Sequence, residues 1–504
     1  VAKRKNSLRV LAVASAVSLL AACGSQVPPS EMVNANGQGT QSAANNGGGS
    51  NTGGGGGAYT GTGGNTGTGG NTGTGGNTGT GGNTGTGGGS HSGTGGNTSN
   101  GGGGSNTGGG GGGGNTGTGG GGATAASCAG FKNTTGITNS TITLSNASDI
   151  SGPVPGLFKS AQQAVQAYAA YFNATSNICG RKLSIEPLDS ATSDSGDQQA
   201  ATTACGNSFA MVGSQAAFDS GGASTVQGCG LPDIRTTAVN TARYHCTTCY
   251  SAYSLAVPIV QLTSWNYFKS AKFGDAYKHA GIVYLAAGSA ALNAQSFTKA
   301  LTNDGYDVVM NEGMQVTNPS YDNLVAEMKQ KGVKLLTYVG AATPYMSTLK
   351  AKMAAQNLST IVVLDPTAYD PSYANSDGVA GTYSYVPGPL FEQASSNPAL
   401  ATYLQWLQRT SPGANPTFFG VYAWAAAALF TQEAIALGGK LTRASLLQAV
   451  AQVHAFTNNG MFKPTNVGGK ISPSCLNIVQ LNGGKWVPQT GYICGPTTNT
   501  GVGA

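Results

Sequence analysis

Between Gly37 and Gly122 the chain holds 45 glycines in 86 residues, with no Lys, Arg, Asp or Glu and a single aromatic, Tyr59. Such a block cannot bury enough apolar surface to offset the entropy of ordering its backbone, so it is expected to be disordered. Within it Asn65-Thr-Gly-Thr-Gly-Gly70 recurs at residues 71, 77 and 83. A period of six without an apolar position cannot stack into a solenoid, and it lacks the Asp and large apolar residue of calcium-binding Gly-rich repeats. The block therefore reads as a flexible tether with an r.m.s. reach of roughly 50 Å. Folding is confined to the residues from Ala123 onward, which carry 35 glycines and nearly all the aromatics, enough for a large core or two linked lobes.

Ahead of the tether, Lys3, Arg4, Lys5 and Arg9 precede an apolar run from Val10 to Ala22. The run is short for a membrane span and reads as a signal peptide over 1–22. Leu20-Ala21-Ala22-Cys23 resembles the lipobox of bacterial lipoproteins, which implies a lipidated Cys23, an anchored segment over 23–36, and a protein held on the extracytoplasmic face of the cell membrane. Setting those four basic residues aside leaves 21 basic against 19 acidic residues, so the net charge of +6 belongs mostly to the leader. Without a clustered positive stripe, nucleic acid is not an expected partner.

Export makes the remaining eight cysteines candidates for four disulfides. Cys475 and Cys494 flank two apolar runs around Asn482-Gly483, a hairpin signal that would bring both thiols together. The other connectivities stay open: Cys205 and Cys229 each precede an expected strand and could be neighbours at one end of a sheet, leaving Cys128 and Cys179 by elimination. His245-Cys246-Thr-Thr-Cys249 has the spacing of a redox or metal motif. No second close ligand pair accompanies it, so a structural Cys246–Cys249 bridge is expected and no metal site.

Beyond Ala123 apolar runs alternate with helical periodicity. Strands are expected at 142–144, 183–185, 209–213 and 232–235, with helices over 157–172, 198–205 and up to 227. After a helix expected over 254–272, strands restart at 281–285, 306–310, 333–339 and 360–364. Helices follow over 400–409, 418–437 and 442–454, with Thr442 as N-cap. The apolar stretch Phe419–Phe430 ends at Gln432 and Glu433, too short to span a membrane, and reads as a buried helix. This β–α alternation with one restart implies an α/β protein with two doubly wound parallel sheets, each covered on both faces.

The order of segments, from Ile142-Thr-Leu-Ser-Asn-Ala-Ser-Asp-Ile-Ser-Gly-Pro-Val-Pro-Gly156 through Cys179-Gly-Arg-Lys-Leu-Ser-Ile185, Met211-Val-Gly-Ser-Gln215, Gly230-Leu-Pro-Asp-Ile234 and Leu336-Thr-Tyr-Val-Gly-Ala-Ala-Thr-Pro-Tyr345 to the closing hairpin, resembles the type I periplasmic binding proteins of ABC transporters, in their leucine-binding-like branch. The resemblance implies two lobes joined by three crossovers near 278, 387 and 455. The first lobe would be 123–277 with 388–454, the second 278–387 with 455–495, and 496–504 a tail. It further implies a monomer without cofactor that binds an amino-acid-like or amide ligand between its lobes and delivers it to an ABC permease.

By matching loops, ligand contacts are expected at Ser214, Gln215, Ala216, Thr237 and Ala238 in the first lobe, and at Ala342, Thr343, Tyr345, Asp365 and Tyr369 in the second. Asp365 or Asp370 would pair with a ligand ammonium. Ser214 and Thr237 have an alternative as helix caps, and Asp365 as a turn residue before Pro366. Two other functions share the leader: a ligand-sensing receptor of the same fold, and a secreted hydrolase. The second has little support, because no Gly-x-Ser-x-Gly, His-Glu-x-x-His or P-loop occurs and the body offers only His245, His279 and His454.

Overall fold

The computed structural model describes residues 126–253 and 257–503. The expected signal peptide, Cys23, the anchored segment and the Gly-rich tether lie outside them. The first sheet comprises β1 (Thr141–Ser148), β2 (Lys182–Asp189), β3 (Ala210–Val212), β4 (Asp233–Arg235) and β5 (Cys249–Ser251), all parallel, in the order β2-β1-β3-β4-β5. Four helices make the crossovers: α1 (Lys159–Thr175), α2 (Asp194–Asn207), α3 (Ala223–Gly228) and α4 (Thr241–His245). Gly213, at the end of β3, has φ +59°, and a Cβ there would strike Val165 of α1 and the Ala423 backbone. Only glycine lets the chain turn there into the loop at Ser214.

The segment read as one helix over 254–272 breaks into β6 (Ile259–Gln261) and α5 (Thr263–Phe268) within its described part. Val260, Trp265 and Phe268 are drawn into the second lobe's core, which overrides the local helical pattern. The second sheet then repeats the first in β7 (Ala280–Leu285), β8 (Val308–Met314), β9 (Leu335–Val339), β10 (Ile361–Leu364) and β11 (Tyr383–Val386), parallel in the order β8-β7-β9-β10-β11. It is covered by α6 (Ala290–Asn303), α7 (Tyr321–Gln330), α8 (Tyr345–Ala355) and the short α9 (Pro371–Ala374).

The chain returns to the first lobe with α10 (Pro398–Thr410), α11 (Phe418–Leu437) and α12 (Arg443–Ala451). α11 is buried on nearly all sides, and its Trp424 meets Tyr168 of α1 edge-on at 4.9 Å. Thr442 caps α12 in a reciprocal box with Ser445. Arg443 donates to four carbonyls, of Cys205, Ser208, Phe209 and Cys229, tying α12 to the amino end of the first sheet. The hairpin β12 (Cys475–Asn482) and β13 (Lys485–Pro488) adds antiparallel strands beside β11. β14 (Ile493–Cys494) pairs with β12, and β15 (Thr497–Asn499) with β6.

Side-chain packing draws the lobe boundary differently from the crossings expected at 278 and 455. Tyr253 belongs to the first core and Val260 already to the second. Phe456, Phe462 and Val467 still pack in the first, and Leu476 in the second. The expected tail holds β15, which pairs with β6. Four disulfides close the pairs Cys128–Cys179, Cys205–Cys229, Cys246–Cys249 and Cys475–Cys494.

Candidate functional site

Loops from the carboxyl ends of both parallel sheets come together where Val239 and Asn240, after β4, meet Asn293 and Ser289, after β7, and such loop ends of doubly wound sheets are where a ligand cleft is expected. On the first lobe the loops after β1, β2 and β3 are locked by Asp149. Its carboxylate accepts from the Ser190 hydroxyl at 2.6 Å, Thr192 N–H at 3.0 Å and Ala217 N–H at 2.8 Å. The loops after β3 and β4 are joined by Gln215, whose Oε1 accepts from Thr237 N–H at 3.1 Å and the Thr237 hydroxyl at 2.8 Å. Its Nε2 is buried and has no partner. Such a donor costs free energy unless a ligand or water supplies an acceptor.

On the second lobe Asp365 follows β10. One carboxylate oxygen accepts from Thr367 N–H at 3.0 Å and from the Thr367 hydroxyl. Burial, against those two hydrogen bonds, pushes its carboxyl up to about 6. Burial also raises the hydroxyls of Tyr253 and Tyr385, and the nearby Asp365 charge adds to it. The Tyr338 and Tyr422 hydroxyls are buried without partners.

Aromatic rings meet across the lobes. Tyr369, Val386, Gly388, Pro389 and Phe391 from the second-lobe side face Phe418, Val421 and Tyr422 of α11 around a cavity of about 10 Å³, the room one water takes. Tyr253 packs against Phe418 at 5.1 Å and Tyr422 at 4.9 Å, and Tyr369 stacks on Phe391 at 5.2 Å. The lobes also touch through hydrogen bonds from Asn240 Nδ2 to Ser289 Oγ, 3.2 Å, and from Asn293 Nδ2 to the Val239 carbonyl, 3.1 Å.

This two-lobed arrangement coincides with a family model, described as periplasmic binding protein, that matches residues 141–485. The chain belongs to the periplasmic binding protein family. No curated protein matches it. Among solved structures it is similar to a fatty acid ABC transporter substrate-binding protein from Thermomonospora curvata, at 18% identity and a TM-score of 0.63, over 72% of this chain and 95% of that one. It is also similar to a solute-binding protein from R. palustris in complex with 4-hydroxybenzoate, at 17% identity, TM-score 0.59, over 70% and 97% of the two chains. A third is the branched-chain amino acid transporter substrate-binding protein from Streptococcus pneumoniae in complex with isoleucine, at 14% identity, TM-score 0.57, over 70% and 100%. These likenesses establish the type I fold.

Several expected contacts in this periplasmic binding protein are committed to its own structure. Ser214 Oγ accepts from Ala147 N–H at 3.1 Å, and the N-caps of α3 and α4 are Gly222 and Asn240, so neither Ser214 nor Thr237 caps a helix. The loops intervene between strand and helix, which moves the cap downstream. Ala216 is buried, and Ala238 lines a small recess beside Arg243 and Lys470. Ala342 is in the second-lobe core, where it accepts the Met346 N–H at the start of α8. Thr343 precedes a cis Pro344, and Tyr345 donates to the Val316 carbonyl at 3.3 Å. Asp365 caps the turn at 366–368, as its alternative reading had it, and Asp370 caps α9. Tyr369 lines the aromatic space, with its hydroxyl on Glu392. Sequence reasoning missed Tyr253, Tyr338, Phe418 and Tyr422. For Phe418 and Tyr422 the available signal was the cluster of rings opening an otherwise Ala-rich α11. Among the described residues no helix is long and apolar enough to cross a membrane, and no group of His, Cys, Asp and Glu could hold a metal ion.

Proposed function

We propose that this periplasmic binding protein captures a small amphipathic solute between its lobes, without turning it over, and presents it to an ABC permease. The observation that supports the reading is the aromatic wall where the lobes meet, whose Tyr422 carries a buried hydroxyl without a partner; Gln215 Nε2 and the Tyr338 hydroxyl are further buried donors without partners, one in each lobe. Rings suit an apolar body, and neutral donors suit a carbonyl or carboxylate head. The solutes named for the similar structures, a fatty acid, 4-hydroxybenzoate and isoleucine, share that design. Contacts at Gln215, Thr237, Ala238, Asp365 and Tyr369 belong to this reading, together with Tyr338 and Tyr422.

A thermal-shift screen of branched-chain and polar amino acids, short amides, aromatic acids and fatty acids tests it. A true ligand at 100 times its Kd should add about 2.7 kcal/mol of stability. Gln215→Leu should abolish that shift for a carboxylate or amide. If the ligand also carries an ammonium, Asp365→Asn should weaken it, and affinity should rise as pH climbs through about 6, because only the ionised Asp365 pairs with the cation. No stabilisation by any compound, or consumption of one, would count against the receptor reading.

Anchoring is part of the same proposal. Cys23→Ser should release the protein from the membrane fraction or leave an unprocessed precursor, read by detergent partitioning. Unchanged partitioning would remove the lipid anchor from the reading.

A further inference from the structure

Beneath the first-lobe cleft loops lies a cluster of charges with no exposure to water: Asp197 of α2, Asp219 of the loop after β3, Asp233 and Arg235 of β4, and Arg243 of α4. Arg243 Nη2 lies 2.5 Å from Asp197 Oδ2 and its Nη1 2.9 Å from Asp233 Oδ2, while Arg235 Nη1 reaches the same Asp233 oxygen at 3.1 Å. Three carboxylates thus share two guanidiniums. The side-chain oxygens Asp197 Oδ1, Asp219 Oδ1 and Asp233 Oδ1, and Arg235 Nη2, are buried without partners. An unbalanced negative charge in a site without water is among the costliest arrangements a core can hold, and the usual outcome is neutralisation by a proton.

Geometry singles out Asp219 as the carboxyl that takes it. Asp197 and Asp233 each touch a guanidinium directly, whereas the Asp219 side chain meets no cation at hydrogen-bond distance among the described residues. Its Oδ2 accepts the Val239 N–H at 2.8 Å, and its backbone carbonyl accepts Arg243 Nε at 2.7 Å. Val239 in turn offers its carbonyl to Asn293 of the second lobe, and Gln215 and Thr237 are the hydrogen-bonded pair of these same two loops. Arg235 Nε also holds the Thr237 carbonyl at 3.3 Å. The remaining charged neighbours are Asp194, partly buried and bonded to the Ser220 hydroxyl, Asp149 on the loop after β1, and Lys470, which lines a recess with Arg243 and donates to the Tyr244 and Cys246 carbonyls.

We propose that the buried network carries one proton, held on Asp219, and that this proton keeps the two cleft loops of the first lobe in the register that meets Asn293 of the second lobe. Asp219 is then a positioning residue and lobe closure is proton-linked. The consequence for solute capture rests on the cleft reading above. Burial, only partly offset by Arg235, Arg243 and the Val239 N–H, pushes the Asp219 carboxyl up to about 7 from its ordinary 3.8, in accord with the geometry. The sign follows. The unfolded chain loses this proton near pH 4 and the folded chain near 7, so the contribution is fully present on the acid side and is lost as pH rises across that interval.

The experiment is NMR of the labelled protein from pH 5 to 9, with Asp219→Asn as the variant. The Val239 and Thr237 amides and the Gln215 side-chain amide should titrate together with one midpoint near neutrality, and that titration should vanish in the variant. In parallel, the slope of the logarithm of the unfolding constant against pH, between 5 and 7, should fall by about one proton in the variant. Resonances that stay still, that move identically in Asp219→Asn, or an unchanged slope would overturn the proposal. Should the variant fail to fold, the assigned carboxyl carbon of Asp219 in the unaltered protein decides: ionised already at pH 5, the proposal is wrong; titrating near 7, it stands. Neither measurement uses a ligand, so failure here leaves the solute-binding reading to its own test.

Discussion

Arg243→Ala should lower the unfolding free energy by about 3–5 kcal/mol at pH 8, the range for removing one partner of a buried ion pair. Arg243 is fully buried and serves three acceptors, the Asp197 and Asp233 carboxylates and the Asp219 carbonyl, so its loss strands Asp197 and leaves Asp233 to Arg235 alone. Three buried carboxylates would then face one guanidinium, and the excess charge can be neutralised only by protons, so the deficit should shrink at pH 5. Urea unfolding at the two pH values reads both effects. Arg243→Met, which keeps much of the stem packing, should lose nearly as much, because charge balance rather than volume is what the residue supplies. A deficit below about 1 kcal/mol at pH 8, or one that does not depend on pH, would show that water reaches the cluster and carries its charge.

The sheets were legible in the sequence because parallel strands buried on both faces write short apolar runs, as Ile361–Leu364 and Ala280–Leu285 do. β11 was not, because Tyr383-Ser-Tyr-Val386 mixes hydroxyls into a strand that is buried throughout. β6 was hidden inside a helical period, since only its pairing with β15 far along the chain makes it a strand. The polar network was illegible for a different reason. Asp197 in the first turn of α2 and Asp219 in a loop look like surface residues, and only the fold brings them under Arg235 and Arg243. For the proposed cleft, matching loops offered Gln215, Asp365 and Tyr369 as candidates, whereas the rings of α11 read as ordinary core because nothing in a linear pattern says which side of a buried helix faces a cleft.

Cys128→Ser with Cys179→Ser should cost about 4 kcal/mol, the loop-entropy value for a bridge of this span, yet leave solute affinity unchanged. The bridge joins residues 51 apart. Cys179 stands just before β2, Cys205 and Cys229 before β3 and β4, and Cys249 opens β5, so the cysteines of all three first-lobe bridges lie around the amino ends of the strands, away from the candidate cleft loops. The segment after Cys128 is held there a second time. Arg181 stacks on Phe131 at 4.0 Å and donates to the Thr138 carbonyl at 2.6 Å. Covalent staples thus fix the floor of the lobe, while hydrogen bonds and the buried charges fix the loops at its mouth. A floor held this way can tolerate a cleft that opens and closes, since none of the staples crosses between the lobes. The double variant's melting temperature and its ligand-induced shift separate the two roles. An equal loss in both would show that floor and mouth are coupled, and a loss of stability far below 4 kcal/mol would show that the contacts of Arg181 already fix the segment without the bridge.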